Sequence, residues 1–288
     1  MILLKKRNIM NRIFTLILVF IGLSTMAQQQ TYAWLKNTAF GQSSAVIINR
    51  MVVSKTSNNI FIAGMTDFGD AQFPNGVSIT DNGLPFRRDG FIAKLDQNAN
   101  LVWVKEFDHA DQYGIGDLAL DNQDNLYLVA RTEDSTSVDN ISIPDNTYYW
   151  MKFDSSGTHL ANAQFTATTH VQRAFVRLAV NNSGESYFSF LFNGNMVVGG
   201  NTYTSSSGAS LVIKVDSIGG LQWSKQINTG YARDLDVNSS GNLLYCGQCG
   251  DNATFDSFTC VNSTSRSTPL VAELDKTNGN AVRIFNPS

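Results

Sequence analysis

The chain is short of charge, of cysteine and of long apolar runs. Only 16% of its 288 residues are charged, which disfavours long salt-bridged helices and favours strands and turns. A net charge of −3 leaves no basic footprint for nucleic acid. Three cysteines, Cys246, Cys249 and Cys260, allow one internal disulfide at most. After residue 23 no apolar stretch is long enough to cross a membrane, so no transmembrane segment is expected after processing of the N-terminus.

What is present at the N-terminus reads as an export signal. Lys5, Lys6, Arg7 and Arg12 precede the apolar run 13–23, and Ser24-Thr25-Met26-Ala27 supplies small residues at the cleavage positions. Residues 1–27 are therefore expected to be a cleaved signal peptide. With its four positive charges gone, the remainder, residues 28–288, carries a net charge near −7. No cysteine stands at the cleavage site to take a lipid. The expected location is secreted or cell-surface.

Hydrophobic residues make up 43% and aromatics 11%, enough for a packed core. Internal periodicity organises them. The run Phe91-Ile92-Ala93-Lys94-Leu95-Asp96 is followed by a turn and by Leu101-Val102-Trp103-Val104-Lys105-Glu106-Phe107. It returns as Tyr149–Asp154, Leu211–Asp216 and Leu270–Asp275, each with a trailing partner. Asp96, Asp154, Asp216 and Asp275 stand 58, 62 and 59 residues apart. A second motif precedes each copy: Leu118–Val129, Leu178–Phe188 and Leu235–Tyr245, with a weaker relative at 51–64. Between the two lies a variable excursion with a third echo at 77–79, 141–143, 201–203 and 258–260.

Short β-branched and aromatic runs separated by Asp, Asn, Ser and Gly clusters are strands and turns. Each unit of about sixty residues reads as two hairpins, four strands in all. Tandem four-stranded units suit the blades of an all-β propeller, and burial of both faces of each blade explains why the strands are apolar in both phases. A parallel β-helix has much shorter coils. The predicted blades span 47–107, 115–165, 175–228 and 232–286. Residues 31–40, around Trp34, resemble a fourth strand without its own blade. Two arrangements remain open: this strand closes the ring against the last blade, or the chain is part of a larger propeller, which the strand count favours.

The pattern Leu-Ala-Val-(Asp/Asn)-x-x-Gly-Asn-Leu-Tyr, then Phe-(Ile/Val)-Ala-Lys-Leu-Asp-x-x-Gly-x-Leu-x-Trp-x-Lys, resembles the SBBP-type β-propeller repeat over residues 30–286. That resemblance implies an exported bacterial protein, often a type IX secretion substrate, and no particular reaction. Two residues depart from the pattern. Ala161 stands in place of the outer-strand Trp, and Glu273 in place of the Lys.

Candidate functional residues are few. Aligned blades place Arg50, Asp117, Arg177 and Asp234 just before each innermost strand, where they would cluster at one mouth of the central channel and offer polar groups to a ligand or pair with each other. Asp108, His109 and Asp111 have the side chains of metal ligands or acid-base groups, but no partners stand at recognisable spacing. Asp121-Asn122-Gln123-Asp124-Asn125 lacks the glycine and glutamate of a calcium loop and reads as a turn. Cys246-Gly247-Gln248-Cys249 is a CxxC on a strand. Cys246 aligns with Leu128 and Phe188, and Cys260 with Ile79 and Ile143, so core-filling cysteines with one disulfide are expected rather than a redox or zinc site. Trp34, Trp103 and Trp223 share one repeat position and are expected to pack blades. Trp150 lies on a different strand. No metal or cofactor is expected. The favoured reading is a non-catalytic binding or scaffold module for a protein or glycan. Its alternative is a glycoside hydrolase or polysaccharide lyase using convergent carboxylates from Asp117, Asp234 and Asp108.

Overall fold

The computed structural model describes residues 45–67, 71–73, 77–79, 88–110, 115–132, 134–167, 176–228, 230–250, 254–259 and 268–285. The expected signal segment and the Trp34 strand lie outside them.

The four repeats are four antiparallel four-stranded sheets. The first holds β1 (Ala45–Val53), β2 (Ile60–Asp67), β5 (Arg88–Leu95) and β6 (Leu101–Ala110) in that order. Between β2 and β5 sits a small hairpin of β3 (Ala71–Gln72) and β4 (Ser78–Ile79). The second blade holds β7 (Ile115–Leu120), β8 (Leu126–Arg131), β11 (Thr147–Phe153) and β12 (His159–Thr166), with hairpin β9 (Thr136–Val138) and β10 (Ile141–Ile143). In the third, β13 (Arg177–Val180), β14 (Ser186–Val198), β15 (Asn201–Val215) and β16 (Leu221–Asn228), the excursion is a continuous extension of β14 and β15. The fourth holds β17 (Gly230–Val237), β18 (Leu243–Cys249), β21 (Thr268–Leu274) and β22 (Ala281–Phe285), with hairpin β19 (Thr254–Phe255) and β20 (Phe258–Thr259). The innermost strands touch in sequence, β1 on β7, β7 on β13 and β13 on β17. The architecture is a β-propeller.

Three cores lie between consecutive blades. Phe61, Ile92 and Phe107 of the first blade meet Leu126, Leu128, Met151 and Phe153 of the second. Tyr127, Val129 and Trp150 on the opposite face of the second meet Phe188, Phe190, Leu211 and Ile213 of the third. Tyr187, Val212 and Trp223 meet Leu235, Leu243, Tyr245 and Leu270 of the fourth. Both faces of a central blade are thus interior. All six residues of β8 are buried, which is why polar-apolar alternation is missing from the sequence.

The repeated acidic residue builds a turn. Oδ1 of Asp154 accepts the backbone N–H groups of Ser156 and Thr158, and Asp96 and Asp216 accept the equivalent pairs. The chain then needs positive φ, which Gly157 supplies at 88°. Asp121, Asn181 and Asn238 do the same between the first two strands of their blades. Asp121 therefore serves a turn, as expected.

The repeated Lys and Trp join one blade to the next. Lys94 lies over the ring of its cross-strand partner Phe61, and both Lys94 Nζ and Trp103 Nε1 donate to the carbonyl of Ser155, in the next blade's turn, at 2.7 and 3.3 Å. Lys214 lies over Tyr187, and with Trp223 it donates to the carbonyl of Lys276, each at 3.0 Å. Lys152 lies over Tyr127 and reaches Ser217 O at 3.4 Å. Here Ala161 replaces the Trp, and Trp150 from the neighbouring strand fills its place. It packs on Gly219 as Trp103 packs on Gly157 and Trp223 on Gly279. Its indole N–H finds no acceptor among the described residues.

The first two blades have an additional tie. Asp124 occupies the position that is Gly184 and Gly241 in the later blades, at φ 60°. Its carboxylate accepts hydroxyl hydrogen bonds from Ser54, Thr56 and Ser57 of the first blade at 2.5, 2.9 and 2.6 Å. Burial disfavours its charge, but these three donors and the nearby Lys94 outweigh that and hold its carboxyl below the usual value.

Two outcomes follow from these ties. Lys214→Met removes the ion pair to Glu185, 2.8 Å from Nζ, and one of the two donors to the Lys276 carbonyl, and should lower unfolding free energy in urea by about 1–3 kcal/mol. Asp124→Asn should destabilise by about 1–2 kcal/mol at neutral pH. Because the folded-state pKa is depressed, that difference should be present above the ordinary carboxylate range and vanish as pH falls through the folded pKa, measured by denaturation across pH.

Candidate functional site

The four charged residues predicted at the channel lie within the inner strands, not before them. Three stand at irregularities of register, between Ile48 and Arg50, between Ile115 and Asp117, and between Ala232 and Asp234. Arg177 opens β13. A β-bulge re-aims a side chain, and Arg50 and Asp117 each bond across to a neighbouring blade. Arg50 Nε lies 3.1 Å from Asp117 Oδ1. Asp117 Oδ2 accepts the backbone N–H of Leu178 on the third blade at 3.0 Å. Arg177 Nε donates to the carbonyl of Arg233 on the fourth at 2.5 Å. Asp234 accepts the N–H of Leu235. The alternating set is a seam running from blade to blade.

Burial pushes the carboxyl of Asp117 up, and Arg50, the two backbone N–H groups and Arg177 only partly offset it. Burial lowers the Arg177 pKa, and the nearby Arg50 adds to this.

The cavity of the channel lies beside this seam. It holds about 360 Å³ and is bordered by all four inner strands and by the turns that follow the first three. Val52, Leu118, Leu178 and Leu235 form apolar walls, while Lys55, Asn122, Asn182 and Asp236 contribute polar groups. None of Arg50, Asp117, Arg177 and Asp234 lines it. Asn122 and Asn182 occupy the same turn position in consecutive blades, one residue after the turn-building Asp121 and Asn181. Beside Asn182 a groove of about 430 Å³ continues between the turns of the third and fourth blades, lined by Ser183, Asn238 and Ser239. The signal was legible in the repeat: turn residues that do not themselves shape the turn are free to face the channel.

The cysteines differ from expectation. The register pairs Cys246 with Asp234, as Val129 pairs with Asp117 and Ser189 with Arg177. Leu128 and Phe188 instead correspond to Tyr245, opposite Leu235. The one-residue offset moves Cys246 to the other face, so it is exposed and free and fills no core. Cys249 is buried and disulfide-bonded, and Cys260 lies outside the described residues. Three positions apart on one strand, Cys246 and Cys249 point to opposite faces, so the CxxC is no dithiol pair.

The side chains of Asp108 and His109, and residue Asp111, lie outside what is described. Among the described residues no group of three His, Cys, Asp or Glu side chains is placed to hold a metal ion.

No family model and no curated protein matches the chain. Among solved structures it is similar to one described as the structure of Dos1 propeller, at 11% identity and a TM-score of 0.30, over 83% of this chain and 71% of that one. At that level of similarity the architecture rests on the blades themselves.

Because the folded state holds a proton on Asp117 more tightly than the unfolded state does, ionising this group costs stability. Relative to Asp117→Asn, the wild-type protein should lose stability as pH rises from the ordinary carboxylate value through the raised one. Urea titrations of both proteins across that window check the sign.

Proposed function

We propose that the protein is an exported, non-catalytic β-propeller module that binds a protein or glycan at the cell surface or outside the cell. The observation that supports this reading is the channel cavity. Its volume lies within the range of small-ligand pockets. It is bordered by residues of all four blades, and most of its surface is polar, with amide and charged groups in its lining. Asn122 and Asn182 present both donors and acceptors, the chemistry that hydroxyl-rich ligands and peptide backbones share. The carboxylate seam supports binding less well. Asp117 is committed to Arg50, Leu178 and Leu118, so neither oxygen faces an open space as a general acid or base would. The basic, apolar and small-residue pattern of residues 1–27 supports export. The repeat pattern supports the SBBP-type assignment and, through it, a type IX secretion route.

Screening on a glycan array and against extracellular proteins tests the reading. Asn122→Ala with Asn182→Ala is expected to weaken the bound partner at least tenfold while the melting temperature stays unchanged. Turnover of any polysaccharide by the wild-type protein would sink the non-catalytic reading, and binding indifferent to both substitutions would remove the cavity from it.

A further inference from the structure

One turn position carries a different side chain in the first blade than in the others. The first turn of each blade opens on a residue whose backbone N–H bonds a carbonyl four or five residues on: Ser54, Asp121, Asn181 and Asn238. The residue that follows is Lys55, Asn122, Asn182 and Ser239 in turn. The first three line the channel cavity, and Ser239 lines the groove that adjoins it. All four side chains are exposed, and none has a hydrogen-bond or ion-pair partner among the described residues.

A second departure lies on the inner strands. Register makes Val52, Ala119 and Ala179 equivalent, opposite Phe61, Tyr127 and Tyr187. In the fourth blade this position is Asp236, opposite Leu244. Asp236 borders the cavity and is exposed. Its Oδ1 accepts the N–H of Val237 at 2.8 Å, and its Oδ2 has no partner among the described residues. The other two carboxylates that border the cavity are spent. Asp121 holds its own turn and the Tyr127 hydroxyl, and Asp124 holds three hydroxyls of the first blade. The uncommitted charges are thus one ammonium from the first blade and one carboxylate from the fourth. The amides of Asn122 and Asn182 come from the two blades between them. Among the described residues no aromatic side chain lines the cavity or the groove, so no ring is offered on which a sugar could stack.

Taking the channel cavity as the binding site proposed for this module, we infer that its ligand is an extended segment of a protein carrying one acidic and one basic side chain. The acidic side chain pairs with Lys55 and the basic one with Asp236. Opposite charges on the first and fourth blades fix the direction of the segment, because reversing it sets like charges against each other. Between them, Asn122 and Asn182 each bring N–H donors and a carbonyl acceptor, which match the N–H and C=O groups of an extended backbone. The segment leaves along the groove, which shares Val180 and Asn182 with the cavity and continues its polar lining through Ser183 and Ser239. A neutral glycan uses neither charge, and an anionic one meets Asp236.

Fluorescence anisotropy with labelled peptides tests this. The peptides are built of Gly, Ser and Ala and carry one Asp and one Lys at varied spacing and in either order. Each has a companion with Gln at both charged positions, and neutral oligosaccharides of glucose and N-acetylglucosamine form the glycan arm. Peptides of one order are expected to bind about tenfold more tightly than their Gln companions. Lys55→Glu and Asp236→Lys should each weaken that binding about tenfold. The melting temperature should not change, since both side chains are exposed. Combining Lys55→Glu with Asp236→Lys should shift the preference to peptides in which Asp and Lys change places. Equal binding of charged and Gln peptides, no binding of any peptide, or binding indifferent to Lys55 and Asp236 would overturn the inference. Neutral oligosaccharide bound through Asn122 and Asn182, in place of peptide, would overturn it and leave the cavity as the site. Peptide binding undiminished by Asn122→Ala with Asn182→Ala would overturn both.

Discussion

The structure depends on the contact between one blade and the next. A single four-stranded sheet with apolar residues on both faces has no interior of its own. It becomes stable only when a neighbour covers each face. The nonpolar packing is general, and the Lys-aromatic row makes it specific. A lysine stretched over its partner's ring covers apolar surface with its stem and delivers its ammonium to one carbonyl of the next turn. The aspartate that shapes that turn is therefore part of the same device, because it fixes where the carbonyl points.

This coupling explains the distribution of charge in the molecule. With few charged residues available, many are placed at seams between blades: Arg50 with Asp117, Asp124 with three hydroxyls, Lys214 with the Lys276 carbonyl. The channel cavity is a by-product of the same geometry. Four inner strands converge but are separated by the width of the blades behind them. The space between them is lined by whatever the adjoining turns do not need for their own backbone. That leaves Asn122 and Asn182 bordering the cavity while Asp121 and Asn181 bond their own turns.

Much of the fold was legible in the residues. The Asp96, Asp154, Asp216 and Asp275 spacing located four blades, and the third echo located the excursions that are seen as hairpins or as the extended arms of β14 and β15. The site was less legible. Arg50, Asp117 and Asp234 stand at local bulges, and Arg50, Asp117 and Arg177 bond across to a neighbouring blade. Bulges arise from backbone geometry that no side-chain pattern announces. The offset of Cys246 has a related cause. With a side-chain period of two, a shift of one residue reverses the face, and apolar residues in both phases give no alternation to fix it.

The sequence alone thus determined the repeat, the strand content, the turn-building role of the aspartates and the departures at Ala161 and Glu273. Those features follow from local chemistry, namely hydrogen bonding within four or five residues and the preferences of β-branched and aromatic side chains. Only the tertiary structure decided what the departures meant. Trp150 replaces the missing tryptophan from an adjacent strand, and Glu273 folds back on its own blade with Arg283. Both are relations between neighbouring strands of one blade. They depend on register and on which face a neighbour covers, and neither is set until the blades pack.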